Sequence, residues 1–213
     1  MSAGRLTQTA GVVVPLRSFA LGKVRLAQAL DDDARRELSR TMAERVVSAA
    51  GARPVVIVSS APEVIEWARA LGVAQIPDPG TLDGAAVAGR AWVRDRGLAR
   101  VVVMHADLPL ATSLDGIADD ADAPIAVLVP DHHHDGNPVL AVPAAVDFSF
   151  GYGPDSCARH AAEAHRLGLA VRIVEDHALG FDIDDESDLD ILAHETPSRR
   201  RDETAGTAKK QST

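Results

Sequence analysis

Three acids stand where apolar runs stop. Asp107 follows Val101-Val102-Val103-Met104-His105-Ala106 and precedes Leu108-Pro109, while Asp182 and Asp184 follow Leu179-Gly180-Phe181 and flank Ile183. In an open α/β sheet, ligands collect outside the carboxyl ends of the strands. Carboxylates gathered there offer hard oxygen ligands suited to Mg²⁺, the usual partner of nucleotide phosphates. Alternate residues of an extended strand face one side, so Asp182 and Asp184 are expected to point together. Asp185 is the better cap for the helix that follows, with Asp188 three residues on. That leaves Asp182 and Asp184 without an evident structural role, and crowded carboxylates repel unless a cation intervenes. Asp107 taken alone reads equally as a metal ligand or as the cap of the next turn.

Other stretches offer anion sites. After Val12-Val13-Val14-Pro15-Leu16 comes a loop carrying Arg17, Lys23 and Arg25. Its backbone N–H groups and cations can wrap a triphosphate, although the P-loop spacing is absent and an ordinary basic surface loop has the same residues. Phe150-Gly151-Tyr152-Gly153-Pro154-Asp155-Ser156 leads into a predicted helix. Free N–H groups and the Ser156 hydroxyl at a helix N-terminus make an anion pocket, or else Asp155 or Ser156 is simply a cap. Asp131-His132-His133-His134-Asp135-Gly136-Asn137 is read as a solvated loop, because consecutive residues do not converge on one ion as i, i+4 pairs do. Within it, Gly136 and Asn137 are the better candidates for touching a ligand. His105 lies inside a strand pattern and is read as a core or near-site residue, and Cys157 as a packing residue.

The elements that position these residues follow from periodicity. Strands are predicted at Ala10–Leu16, Pro54–Ser59, Val73–Ile76, Arg100–His105, Pro124–Val129, Val139–Val142 and Leu169–Val174. Helices are predicted at Ala34–Ala50, Pro62–Leu71, Asp83–Arg96, Ser113–Asp120, Asp155–Leu167 and Asp185–Ala193. Strand–helix alternation over roughly the first 130 residues predicts a single-domain, three-layer α/β/α arrangement on a mixed, mostly parallel sheet. The less regular second part is expected to be an insertion covering one end of that sheet. The domain is placed over residues 1–194 and a disordered polar tail over 195–213.

Bulk composition narrows the partners. The chain has 213 residues, 46% of them apolar, which is ample for one core. A net charge of −9 argues against a nucleic-acid partner. One cysteine excludes an internal disulfide framework. No apolar run approaches the ~18 residues of a membrane span, and Met1–Thr9 lacks the apolar core of a signal peptide. A cytoplasmic protein without a membrane partner is expected.

In order and spacing, these pieces resemble the guanylyltransferases that activate a small phosphorylated acid for the deazaflavin coenzyme F-420. The resemblance spans roughly residues 10–193 and is carried by Val14-Pro15-Leu16 through Gly22-Lys23-Val24-Arg25-Leu26, by Pro77-Asp78-Pro79-Gly80-Thr81-Leu82-Asp83-Gly84, by Ala106-Asp107-Leu108-Pro109, by Gly151-Tyr152-Gly153-Pro154-Asp155-Ser156 and by Asp182-Ile183-Asp184. It implies a nucleotidyltransferase-like fold and transfer of GMP from GTP to phosphoenolpyruvate or 2-phospho-L-lactate, with release of pyrophosphate. It implies Mg²⁺ on Asp107, Asp182 and Asp184, nucleotide contacts at Pro15, Leu16, Lys23, Arg25, Leu82 and Gly84, and acceptor contacts at Asn137, Gly153 and Ser156. Asp107, Lys23 and Arg25 carry the chemistry in that scheme, and a downstream transferase takes the product. The chain departs from the resemblance at Gly136-Asn137-Pro138, where members often carry Thr; Asn137 can replace a Thr hydroxyl as donor. Two alternatives stay open: a nucleotidyltransferase acting on a sugar phosphate or the molybdenum cofactor, and a non-catalytic nucleotide-binding regulator.

Overall fold

A computed structural model of the chain describes residues 10–119 and 123–195. The expected tail lies outside those residues, apart from Glu195, which closes the last helix. The first half alternates as β1 (Ala10–Pro15), α1 (Asp32–Ala49), β2 (Val55–Val58), α2 (Pro62–Ala70), β3 (Ala74–Ile76), α3 (Leu82–Arg94) and β4 (Arg100–Met104). The second half adds β5 (Ile125–Val129), β6 (Val139–Pro143), α4 (Ser156–Arg166), β7 (Ala170–Ile173), α5 (His177–Gly180) and α6 (Glu186–Glu195). Helix starts follow local chemistry. The Asp31 carboxylate accepts from Ala34 N at 2.8 Å to cap α1, and the Thr81 hydroxyl accepts from Gly84 N at 3.0 Å to cap α3. Pro62 opens α2, where its missing N–H has no helical partner to lose.

All seven strands share one sheet, ordered β3-β2-β1-β4-β6-β5-β7. Strand β6 runs antiparallel to β4 and β5, and the other neighbours are parallel. The second half is therefore not a cover over one end of the sheet, as its irregular pattern had implied. It supplies three strands, one threaded between β4 and β5. The reason is burial. Val101–Met104 and Ala126–Val129 are buried on every side chain, so both β4 and β5 need neighbours on each edge. Val139–Val142, equally buried, fill the gap between them.

Helices cover both faces. Val12 and Val14 of β1 pack with Ala43, Val46, Val64 and Trp67 of α1 and α2. Val13 points the other way, to Ala86 and Val93 of α3. Helix α3 sits directly on β1, because Gly89 has no Cβ; one there would overlap Val13 Cγ1. A third, small cluster joins Leu26, Met42, Phe181 and Ile183. It ties three sequence-distant segments together.

The helix predicted over Ser113–Asp120 does not form over its described part. Leu114, Ile117 and Ala118 are buried as its spacing requires, but Gly116 takes φ 75° and the segment closes as turns. Helix α5 had no sequence signal beyond its cap, Asp176, whose carboxylate accepts from Leu179 N at 3.0 Å. Among the described residues, no helix is long and apolar enough to cross a membrane.

Candidate active site

The site forms where β1 and β4 end at the carboxyl edge of the sheet. Beyond Met104 the chain continues as His105-Ala106-Asp107, and His105 N donates to Pro138 O at 2.9 Å. That bond pins the end of β4 to the segment that enters β6. On the other side, the loop after β1 reaches Lys23, which adopts φ 57° before a single 3-10 turn at Val24–Leu26. A lysine in the left-handed region is uncommon and is held there by its surroundings. The anchor is Leu26, fully buried against Phe181 and Ile183. The same contacts fix the strap that carries Asp182 and Asp184.

Asp107, Asp182 and Asp184 thus meet, with one carboxylate oxygen of each within 4.8 Å of the others. The strap is irregular, not the extended strand expected from its alternation. Convergence comes from Ile183, which plugs the third cluster while its N–H donates to Asp107 O at 3.3 Å. Asp188 secures the next turn, its carboxylate accepting from Asp184 N at 2.6 Å and Asp185 N at 3.0 Å. Asp185 in turn accepts from Ser187 N at 2.9 Å, so α6 opens with reciprocal caps.

Lys23 enters this cluster. Its ammonium lies 2.5 Å from Asp107 Oδ2 and 3.5 Å from Asp184 Oδ1, and it also donates to Ile183 O. Burial alone would lower the Lys23 pKa, but Asp107 and then Asp184 and Asp182 outweigh it and raise it. Burial alone would raise Asp107, yet Lys23 beside it holds the carboxyl below the usual range. Asp182 is pushed up to about 7 by burial and by the charges of Asp107 and Asp184. One lysine therefore does not neutralise three acids. Asp107 Oδ1 is buried and without a hydrogen-bond partner. An all-oxygen donor set with residual repulsion and an unused lone pair fits a hard divalent cation.

A cleft of about 330 Å³ opens beside the acids, lined by Leu16, Lys23, Met42, Leu82, His105 and Asp107 among others. A second hollow, of about 220 Å³, shares Pro15, Leu16, Arg17 and Leu82 and extends to Asp78 and Thr81. Arg17 reaches across it to Gly80 O at 3.3 Å. Gly84 lines neither; it lies against Pro79 and the Thr81 cap, where a Cβ would come within 2.9 Å of both. Arg25 is exposed and faces a shallow hollow with Lys23, Val24 and Asp184, outside the main cleft.

Asn137 and Ser156 are brought together, buried, with Ser156 Oγ 3.2 Å from Asn137 Oδ1. The Ser156 hydroxyl thus turns inward to Asn137. Asp155 occupies the cap position of α4 without a side-chain capping bond. Gly153 takes φ 110°, which a residue with a Cβ would resist, and its carbonyl accepts from Ser156 N at 3.0 Å.

Three histidines lie at or near this site. His105 lines the cleft, and burial lowers its pKa. That is the near-site place its position two residues before Asp107 allows. His160 lies on α4; its Nδ1 is 2.8 Å from Asn137 Oδ1, and its Nε2 accepts from Gly151 N at 2.9 Å. His132 corrects the solvated-loop reading. His133 and His134 are exposed, but His132 is drawn in, with Nε2 3.1 Å from Asp188 Oδ1 and Nδ1 3.5 Å from Asp182 Oδ1. Its ring packs 5.1 Å from Phe181, an apolar contact that a loop-polarity argument overlooks.

The sequence and the fold are ones that known proteins share. A nucleotidyl transferase from Methanothermobacter thermautotrophicus superposes with a TM-score of 0.62 at 20% identity, covering 87% of this chain and 97% of that one. The phosphoenolpyruvate guanylyltransferase of Sphaerobacter thermophilus is 35% identical over 209 residues, 92% of this chain and 98% of the relative. The 2-phospho-L-lactate guanylyltransferase of Methanothermobacter thermautotrophicus is 28% identical, over 85% of this chain and 83% of its own length. Residues 10–202 match the family described as guanylyl transferase CofC like. With so much of the chain matched, and a near full-length relative at that identity, this protein belongs to the CofC-like guanylyl transferase family.

Proposed function

We propose that the chain transfers GMP from GTP to the phosphate of a three-carbon phospho-acid, phosphoenolpyruvate or 2-phospho-L-lactate, and that it requires Mg²⁺. The observation that carries this reading is the meeting of Asp107, Asp182, Asp184 and Lys23 beside the cleft. An acceptor phosphate oxygen attacks the α-phosphorus of GTP, the bond to the bridging oxygen breaks, and pyrophosphate leaves. A phosphate nucleophile is already ionised, so little proton transfer is needed. The work of the site is positioning and charge neutralisation.

In this scheme Asp107, Asp182 and Asp184 hold the magnesium. The ion supplies neutralisation of charge on the reacting phosphates. Lys23 offers its ammonium to the triphosphate from the same cluster. Pro15, Leu16 and Leu82 form the apolar wall for nucleoside, and Gly84 sets Leu82 indirectly through the Thr81 cap. Arg25, exposed at the rim, adds a cation on the approach path. Asn137, Gly153 and Ser156 shape the acceptor side. The activated acid that results suits a downstream transferase as its consumer.

The test is pyrophosphate release from GTP and Mg²⁺ with each phospho-acid, in the wild type and in Asp107→Asn. The substitution keeps the shape and removes a charge. Release is expected to fall by about 100-fold or more. Undiminished release would end the metal assignment.

A further inference from the structure

The segment His132-His133-His134 has no part in the scheme above, yet His132 lies against the acids. The loop after β5 is folded around Asp131. Its carboxylate accepts from His133 N and Asp135 N, both at 3.0 Å, and from Gly136 N at 2.5 Å. Its backbone N–H donates to Gly136 O at 3.1 Å. Side-chain bonds of this kind fix a turn without any regular element, and His132 stands on that turn.

The strap that carries Asp182 and Asp184 passes close to it. Gly180 has no Cβ; one there would fall 2.6 Å from Pro130 O. That approach lets His132 N donate to Gly180 O at 3.0 Å and brings the imidazole 5.1 Å from the Phe181 ring. His132 Nε2 lies 3.1 Å from Asp188 Oδ1. A carboxylate oxygen accepts, so Nε2 is the donor. The other Asp188 oxygen accepts from Asp184 N at 2.6 Å and from Asp185 N at 3.0 Å. One buried carboxylate therefore joins the imidazole to the backbone of a proposed magnesium ligand.

With its hydrogen on Nε2, the ring carries a lone pair on Nδ1. That nitrogen is buried, without a hydrogen-bond partner, 3.5 Å from Asp182 Oδ1. The ring thus rests beside Asp182 without donating to it, and leaves that oxygen's lone pairs for a cation. Leu26 and Ile183 anchor the middle of the strap. His132 holds Gly180 and Phe181 before the acids and Asp188 after them.

We propose that His132 is a positioning residue for the cation. Through Gly180, Phe181 and Asp188 it sets where Asp182 and Asp184 stand, and so raises the affinity of the acids for the ion. This rests on the metal assignment above. Groups that orient metal ligands are typically worth about 10–100-fold in metal affinity.

The probe is Mn²⁺, which like Mg²⁺ suits carboxylate ligands, and whose unbound fraction is read by electron paramagnetic resonance. It is titrated without nucleotide into wild type, His132→Phe, His132→Gln, His133→Ala and Asp107→Asn. Phe keeps a ring against Phe181 and removes both nitrogens. Gln restores an N–H donor near the place of Nε2. The Mn²⁺ Kd is expected to rise about tenfold or more in His132→Phe. His132→Gln should recover most of that loss, and His133→Ala, an exposed neighbour, should match wild type. Circular dichroism in chelator checks the fold of each variant. If His132→Phe does not fold, His132→Asn, whose shorter amide does not span to Asp188, takes its place. An unchanged Kd in His132→Phe overturns the proposal. So does an equal loss in His132→Gln, since the donor would then not be the link. An equal loss in His133→Ala also overturns it, by making the histidines ligands themselves. Mn²⁺ that fails to bind wild type, or binds Asp107→Asn equally well, overturns the metal assignment and the proposal with it.

Discussion

At the residue scale, Lys23 is the group that offsets the charge of the acidic cluster. It is the one cation with its charge among Asp107, Asp182 and Asp184 within the described residues, and its backbone is bent to φ 57° to be there. Removing one member of a part-buried ion pair leaves the other charge uncompensated, and such losses run to several kcal/mol when burial is complete. The Lys23 and Asp107 side chains are 11% and 26% exposed, so a smaller cost, about 2 kcal/mol, is expected for Lys23→Met. A divalent ion bound by the three acids would take over much of the missing charge. Thermal melts in chelator should therefore separate wild type from Lys23→Met, and added Mg²⁺ should raise the variant more than the wild type. Equal melting in chelator would show that the cluster does not rely on Lys23. The same contacts explain why Asp182 was legible in sequence only by type. Alternation correctly grouped it with Asp184, but the force that brings both to Asp107 is the burial of Ile183 and Leu26, which no local pattern encodes.

At the element scale, the contact of α3 with β1 decides where the nucleoside wall stands. Leu82 lines both hollows from the first turn of α3, and Gly89 lets that helix approach Val13. Gly89→Ala is expected to destabilise the protein by about 2–3 kcal/mol, because β1 is central and cannot yield. Val87→Ala, on an exposed position of the same helix, should change stability by less than ~0.5 kcal/mol. Urea midpoints for the two variants check this; similar midpoints would mean that α3 can lift from the sheet at no cost. Most elements were readable, because their apolar runs end at residues with a mechanism: Asp31 and Thr81 as caps, Pro62 at a helix start. What failed was non-local. Leu114, Ile117 and Ala118 have helical spacing, yet their burial is satisfied by turns around Gly116. The place of β6 between β4 and β5 follows from two buried strands that each need a partner on both edges, which no local pattern encodes.

At the scale of the whole molecule, charge poses a problem that the site must solve. The chain carries a formal −9, and the proposed ligands, a triphosphate and a phospho-acid, are also anions. The overall field opposes their approach. Local cations on the loop after β1 offset only part of this, since Lys23 is already engaged by Asp107. Nucleotide binding should therefore depend on the metal, with each strengthening the other. A ligand bound only by the native state at 100 times its Kd adds about 2.7 kcal/mol. For a domain of this size that corresponds to a rise in Tm of roughly 5–10 °C. GTP with Mg²⁺ is expected to produce such a rise, and GTP with chelator a small fraction of it. Mg²⁺ alone should give less than the pair, because the ion would then keep waters where phosphate oxygens would otherwise bind it. CTP and UTP with Mg²⁺ should fall below GTP, since their single-ring bases fill less of the apolar wall at Pro15, Leu16 and Leu82. If chelator left the GTP shift at full size, the three acids would have to be reread as repelling the triphosphate rather than recruiting the ion that binds it.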